Sequence, residues 1–310
     1  MSESKKRSPL VDYLVYLAVR LVVLILQMLS ISASLRLANA LAWLAYRFNR
    51  RHRLVAMENL AQAFPELDEA QRDELVRDVY RHFLTVMVTM VHLPRCYHIR
   101  SWRRYFDMGN GAPLVAALLS GRPVLLVTGH FGNWEMGGYT LGTFGFSTWA
   151  IARPLDNPYL DRFLGQFRQR TGQSLLAKHG DFEKMQGILE QGGVIATLGD
   201  QDAGQRGLFV DFFGRPASTH KAIALMALEY NVLMVVLGIP RVAPPLKHQL
   251  VVTDVIDPAE YAGRPDAVRA ITVRFTQALE ALIRQYPEQY FWLHRRWKHQ
   301  PKVREKKKAA

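Results

Sequence analysis

From about residue 121 onward, short apolar runs alternate with amphipathic stretches, and this pattern constrains the fold more than any other feature. The runs are PVLLVT (123–128), STWAIAR (147–153), GVIATLGD (193–200), VLMVVLGIP (232–240) and HQLVVTDVI (248–256). Apolar runs of this length, rich in β-branched residues and lacking polar alternation, read as strands buried on both faces. Between them, 158–169, 182–191 and 219–230 carry apolar residues at helical spacing. The pattern predicts an α/β domain with a mostly parallel or mixed central sheet flanked by helices. In such sheets the chemistry collects at the carboxyl ends of the strands. His130, Arg153 and Asp200 each fall at such an end.

The chain before this domain has a different texture. Tyr13 to Ser34 is almost wholly apolar, interrupted by Arg20 and Gln27. About 20 apolar residues span a bilayer, so the run predicts an uncleaved anchor that either crosses the membrane or lies in one leaflet. A buried core helix is the alternative. Arg20 is costly at depth unless it snorkels. Next, Leu37, Leu41, Leu44 and Phe48 recur at helical spacing among Arg36, Arg47, Arg50, Arg51 and Arg53. A basic amphipathic helix beside an anchor reads as an interfacial element. Asp68 followed by Gln71 forms a capping-box pattern ahead of a stripe of Leu75, Val79, Phe83 and Val86, which predicts a further helix. The resulting division is an anchor and interfacial helix over 1–48, a helical region packed on the catalytic domain over 49–120, the α/β domain over 121–300, and a solvated basic tail over 301–310.

Charge and composition narrow the function classes. Of 310 residues 49% are hydrophobic, enough for a sizeable core, so wholesale disorder is excluded. Forty Lys and Arg against 27 acids give +13, which favours an anionic partner: an acidic carrier, a membrane surface or nucleic acid. No nucleic-acid motif accompanies the charge. The lone cysteine, Cys96, excludes an intramolecular disulfide and reads as a buried thiol. The excess of arginine after the anchor argues for a catalytic portion on the cytoplasmic side, although Lys5, Lys6 and Arg7 lie on its other flank.

The stretch TGHFGNWE (128–135) follows a buried strand directly. His130 titrates near neutral pH and can act as a base if a partner fixes its tautomer. Glu135 is the expected partner, folded back by a helix that starts near Asn133 or Trp134. Gly129 and Gly132 permit a tight turn and close approach of substrate. The free N–H groups of the helix start and the Asn133 amide are candidate oxyanion donors. No Gly-x-Ser-x-Gly elbow is present and Cys96 has no catalytic setting, so the reading is a base acting on a substrate hydroxyl without a covalent enzyme intermediate. No metal-ligand spacing occurs among the ten histidines, and no metal or cofactor is expected. Arg153, held extended before Pro154, either binds an anion in a forked geometry or pairs with Asp156. Asp200 and Gln201 open a glycine-rich loop, and Thr219 is placed to cap the following helix. Phe212 and Phe213 line an acyl pocket or belong to the core. Near the end, YFWLHRRWKHQP (290–301) interleaves aromatic and basic residues, a composition suited to a membrane interface with anionic head groups or to nucleic-acid stacking.

These motifs, in this order, resemble the bacterial lipid A late acyltransferases, the lauroyl/myristoyl acyltransferase family, whose relatives include phosphatidylinositol mannoside acyltransferases. The resemblance covers the N-terminal anchor, ENLAQAFPE (58–66), TGHFGNWE, ARPLDNP (152–158), DQDAGQRGLFVDFFGRPAST (200–219) and YFWLHRRWK. It implies a membrane-associated enzyme of the inner membrane, its catalytic domain facing the cytoplasm, that moves a fatty acyl group from an acyl carrier protein or coenzyme A thioester to a glycolipid hydroxyl. By the same resemblance His130 is the base and Glu135 its acidic partner, while Asn133, Arg153, Asp200 and Gln201 contact substrate. Three alternatives stay open on the residues alone. They are another phospholipid or glycolipid acceptor, a thioesterase in which His130 activates water, and a non-catalytic lipid-binding protein.

Overall fold

The computed structural model describes residues 8–177 and 180–301. Lys5–Arg7 and most of the basic tail therefore lie outside the described residues. Four helices lead the chain: α1 (Pro9–Met28), α2 (Ile31–Phe48), α3 (Arg50–Ala63) and α4 (Glu69–Cys96). They are followed by α5 (Trp102–Tyr105), β1 (Phe106–Asp107), α6 (Ala112–Leu118), β2 (Val124–Thr128), α7 (Trp134–Thr143), β3 (Thr148–Ala152), α8 (Pro158–Gln169), β4 (Gln173–Ala177), α9 (Phe182–Glu190) and β5 (Val194–Leu198). A pair of strands, β6 (Leu208–Phe212) and β7 (Arg215–Thr219), precedes α10 (Ala222–Glu229), β8 (Leu233–Gly238), β9 (Arg241–Ala243), β10 (Lys247–Gln249), β11 (Val251–Ile256) and α11 (Ala267–Gln285).

The central sheet has the order β11-β8-β2-β5-β3-β4, with all strands parallel except the β11 edge, so the expected mixed α/β architecture is present. Both faces are covered, which is why its strands lack polar alternation. On one face Leu125, Val127, Ile195, Met234 and Val236 pack with Ile271, Phe275 and Leu279 of α11. On the other, Leu126, Val235 and Leu237 pack with Met136 and Tyr139 of α7. Full burial of such a side chain stabilises the fold by roughly 1.5–3 kcal/mol relative to exposure.

The apolar run 13–34 is two helices rather than one. The chain leaves helical geometry at Leu29, and Ser30 caps α2 by accepting from Ala33 N at 3.2 Å. Ser34, fully buried, donates to Leu26 O, and His92 of α4 lies 3.0 Å from its hydroxyl. The small face Ser34, Ala38 and Ala42 brings α2 against α4, which leaves Leu37, Leu41, Leu44 and Phe48 facing outward. Helix α1 is long and apolar enough to cross a membrane, and little of it is buried in the protein. Its inner side is docked: Tyr13 meets Tyr159 of α8 edge-on, Tyr16 lies tilted against the same ring, and Asn157 Nδ2 donates to Asp12 O at 2.8 Å. At Asp68 the capping box is complete, with both reciprocal bonds made.

Candidate active site

Strands β2 and β5 are hydrogen-bonded neighbours in register, Thr128 opposite Leu198. Two residues beyond each strand end stand His130 and Asp200, so parallel pairing alone brings them together. The Asp200 carboxylate accepts twice from the same residue, from His130 N at 2.9 Å and from His130 Nδ1 at 2.9 Å. A carboxylate only accepts, so Nδ1 carries the hydrogen and Nε2 presents its lone pair. The Gln201 amide nitrogen lies 3.4 Å from that Nε2. Gly129 is needed for this pairing, since a Cβ there would sit 3.3 Å from the Asp200 side chain.

The turn is fixed from several sides. Gly132 has φ +58°, and a Cβ on it would come within 2.3 Å of Ile239 O, so only glycine fits. His82 of α4, deeply buried, donates from Nε2 to Gly132 O at 3.0 Å. Phe291 N donates to His130 O at 2.9 Å, and the rings of Trp134 and Phe291 flank the imidazole at centroid distances of 5.4 and 6.1 Å.

The electrostatics follow from the pairing. Burial disfavours the imidazolium, but the Asp200 charge and hydrogen bond outweigh it and hold the His130 pKa above its ordinary value. Glu135 adds a smaller contribution of the same sign. Burial likewise opposes the Asp200 carboxylate, and the His130 charge and hydrogen bonds overcome that, holding its pKa below the usual range. The fully buried Tyr290 phenol is pushed well above its usual pKa by burial and then by Asp200, so it stays neutral beside the pair.

The residue bonded to the His130 ring is therefore Asp200, and Glu135 makes no hydrogen bond to it. Glu135 starts α7, as expected from Asn133 at the N-cap, but its carboxylate turns to Arg168 of α8. Arg168 Nε donates to Oε2 at 2.9 Å and its Nη2 donates to Oε1, a forked pair, while Trp134 Nε1 donates to Oε1 at 3.2 Å. A forked guanidinium outcompetes a single imidazole N–H for a carboxylate.

The other expected site residues disperse. Asn133 is fully buried; its Oδ1 accepts from Met136 N at 3.0 Å, and its own N–H goes to Ile239 O at 2.8 Å. Gly132 N donates to Gln289 O at 2.9 Å. These two backbone N–H groups are thus consumed by structure, while the Asn133 side-chain Nδ2, the amide expected as an oxyanion donor, is buried with no partner among the described residues and stays a candidate. Arg153 is highly exposed and pairs with Asp156 at 3.2 Å, the plainer of its two readings. Phe212 and Phe213 are core, packed on Trp297, Trp292 and Phe64. Thr219 ends β7 and accepts from the buried Arg296 rather than capping a helix. The terminal aromatic segment also turns inward. Trp292, Arg296 and Trp297 are buried, so it is a closing element of the core and not a membrane interface. Cys96 is only half-buried; its thiol donates to His92 O at 3.1 Å, and burial pushes its pKa up.

Two participants went unread in the sequence. Arg168 sits in the last turn of α8, where an arginine is commonplace and marks no site. His299 holds the second acid of the loop, Nδ1 to Asp202 Oδ2 at 2.6 Å, so each carboxylate of the Asp-Gln-Asp cluster takes one histidine. The acid-amide-acid pattern was the available signal.

Beside the pair, a slot of about 130 Å³ opens between α7 and one face of the sheet. Glu135, Arg168 and Trp134 border it, while Leu126, Ala150 and Ala196 line its sheet side. Alanines on the strands and Gly137 and Gly138 on the helix leave the room. No group of His, Cys, Asp and Glu suited to a metal occurs among the described residues.

Comparison with known proteins gives the chain's family. The profile of the bacterial lipid A biosynthesis acyltransferase family matches residues 2–299. A lipid A biosynthesis lauroyltransferase of Escherichia coli K12 is 28% identical over 273 residues, 86% of this chain and 85% of the relative. A lipid A biosynthesis palmitoleoyltransferase of the same organism is 26% identical over 263 residues, 83% and 82% of the two chains. A phosphatidylinositol mannoside acyltransferase of Mycobacterium tuberculosis is 31% identical over 147 residues, 44% of this chain and 45% of the relative. With nearly its whole length matched, the chain belongs to the bacterial lipid A biosynthesis acyltransferase family and is an enzyme that transfers acyl groups.

Proposed function

We propose that this protein moves a fatty acyl chain from an acyl carrier protein or coenzyme A thioester to a hydroxyl of a lipid A precursor, with His130 as general base and Asp200 as the residue that orients it. The observation that carries the reading is the His130–Asp200 pair, with Nδ1 tethered at 2.9 Å and Nε2 left as the acceptor. Nε2 takes the proton of the acceptor hydroxyl as its oxygen attacks the thioester carbonyl. Asp200 stabilises the imidazolium that forms. The tetrahedral intermediate collapses, the carbon–sulfur bond breaks, and the imidazolium returns its proton to the departing thiolate. No acyl-enzyme forms, in keeping with the absence of a serine or cysteine beside His130 among the described residues.

The slot under α7 suits the acyl chain, since its lining is mostly apolar. The outward apolar faces of α1 and α2, with the arginines at 47, 50, 51 and 53, suit an anionic membrane surface. Their basic excess supports an inner-membrane location with the catalytic domain on the cytoplasmic side. Arg153 and Gln201, both exposed near strand ends, remain candidates for contact with substrate, Gln201 the better placed of the two.

The test is labelled acyl transfer by the purified protein. Acyl carrier protein and coenzyme A donors are offered against a panel of lipids, and the wild type is compared with His130→Ala. Transfer to the lipid A precursor that vanishes in the variant is expected; removal of a general base costs roughly 10²–10⁴-fold. Transfer that survives the substitution refutes the assignment of the base. Free fatty acid released at the same rate without any acceptor identifies a thioesterase instead.

A further inference from the structure

A second cavity, of about 210 Å³, lies between the start of α3 and the C-terminal segment. Arg51 and His52 line it from the helix, and Phe291, His294 and Arg295 line it from the segment. No carboxylate lines it. The Arg51 and Arg295 guanidiniums are exposed and have no ion pair or hydrogen bond among the described residues. Two exposed guanidiniums without an acid partner line one cavity, so an anion entering it is offered two forked donors. His52 donates from Nδ1 to Asn49 Oδ1 at 2.7 Å, which leaves its Nε2 without a part in that bond.

The cavity wall holds an unsatisfied atom as well. His294 Nδ1 donates to Phe291 O at 3.1 Å, and its Nε2 is buried with no partner among the described residues. A buried ring nitrogen without a partner costs free energy comparable to a lost hydrogen bond. An anion with several oxygens and an exchangeable proton removes that cost. A phosphate hydroxyl donates to Nε2, or the ring takes up a proton and donates to a phosphate oxygen. A carboxylate, a flat monoanion, satisfies one guanidinium fork; a tetrahedral dianion satisfies two together with the imidazole. Position ties the cavity to the chemistry, because Phe291 carries both its wall and the N–H bonded to His130 O at 2.9 Å.

We infer that this cavity binds a phosphate ester carried by one of the two substrates, with Arg51 and Arg295 as the forked donors and His294 Nε2 as the buried partner. The inference rests on the acyl-transfer reading only for the source of the phosphate. A phosphorylated sugar of the acceptor presents the dianionic monoester, whereas the phosphodiester of a pantetheine arm on the donor is a monoanion without a proton to give and meets His294 only when the ring is protonated.

The experiment uses the full-length protein in detergent and its Arg51→Gln/Arg295→Gln double variant, with Arg51→Lys/Arg295→Lys as the charge-conserving control. Both arginines are exposed, and melting curves check that the variants fold. Binding is read first, as ³¹P line broadening of glucosamine 1-phosphate and of 4′-phosphopantetheine. Broadening by the wild type of at least one probe, lost in the glutamine variant and partly kept in the lysine variant, is expected. Kinetics then assign the source. The glutamine variant should raise KM for the phosphate-bearing substrate about tenfold, the scale of a lost charged hydrogen bond. The difference between variant and wild type should vanish when that substrate lacks its phosphate. A dephosphorylated acceptor tests one source and an acyl-N-acetylcysteamine donor the other. Absence of broadening by the wild type overturns the site. So does a wild-type-to-variant KM ratio that is indifferent to phosphate on both substrates. If no donor supports acyl transfer at all, the broadening alone decides for or against the site, and the failure belongs to the proposed reaction instead.

Discussion

Asp200 and Glu135 are both buried carboxylates within one turn of chain from the reacting region, yet they do different work. Asp200 fixes the tautomer of His130 and stabilises its cation. Glu135 neutralises Arg168 at the border of the slot. Asp200→Asn should therefore cost rate, on the order of 10³–10⁴-fold in kcat by analogy with removal of an orienting carboxylate from a histidine base, while the melting temperature changes little. Glu135→Ala should cost stability, about 3–5 kcal/mol, because it leaves a buried guanidinium uncompensated. Paired rate and melting measurements separate the two, and the reverse pattern would restore Glu135 as the orienting partner. The pH profile gives a second reading. His130 must be neutral in the free enzyme to accept a proton, and its pKa is raised, so kcat/KM falls as pH drops through a value above the ordinary ~6.5. Without the Asp200 charge, burial acts on the imidazole with little opposition, and the acidic limb of the Asn variant should move to lower pH. His130 itself was legible in the sequence because a histidine directly past a buried strand between glycines has few structural uses. The hydrogen-bond partner of its ring did not show in the sequence: Glu135 is close along the chain, whereas Asp200 is 70 residues away and becomes a neighbour only through the β2–β5 pairing.

At the scale of elements, the strands of the central sheet were mostly legible and the exceptions have local causes. Strand β4 is a sheet edge with only Leu175 and Leu176 as large apolar residues, too short a run to register. The β6–β7 hairpin was hidden by its turn. Phe213 and Gly214 both have positive φ, +55° and +72°, the geometry usually announced by Asn-Gly. Here Phe213 is held there by its neighbours: its N–H donates to Glu280 at 2.6 Å, and Gly214 N donates to Asp211 Oδ1 at 3.0 Å. The slot between α7 and the sheet was invisible for another reason. Alanine at 150 and 196 is unremarkable in a strand, and only their adjacency across β3 and β5 opens space. If that space takes the acyl chain, Ala150→Leu or Ala196→Leu fills it and shifts the preferred donor to a chain shorter by a few carbons. Competition between acyl carrier protein donors of graded length reads this directly. An unchanged preference in both variants would place the acyl chain elsewhere.

The chain joins the His130–Asp200 centre to two N-terminal helices, α1 and α2, whose outer sides are apolar. Amphipathicity of α2 was legible because its period survives in any context. The role of the C-terminal segment was not, since interleaved aromatic and basic residues look alike whether they face lipid or core. The deciding partners, Phe64 on one side and Phe212 and Ser218 of the β6–β7 hairpin on the other, come from two remote segments. Helix α1 has two sides with separate tasks. Its inner side holds Tyr13, Tyr16 and Leu26 against α8 and α4, and Arg20 Nη1 donates to Tyr16 Oη at 2.8 Å with its guanidinium 5.1 Å above Phe163. That arrangement gives the arginine polar and π partners on the protein side, so it need not reach the lipid. Its outer side, Leu14 and Leu21 among others, is exposed and contributes nothing to the fold. Leu14→Glu/Leu21→Glu should therefore leave the melting temperature within about 2 °C of wild type, as for surface changes worth under ~0.5 kcal/mol. The same variant places two charges where hydrocarbon is expected, at about 2.5–3.5 kcal/mol each in the middle of a bilayer. Flotation with vesicles containing anionic phospholipid should fall at least tenfold. If both proteins float equally, α1 is an ordinary surface helix of this enzyme and membrane attachment must come from α2 and the arginines that follow it.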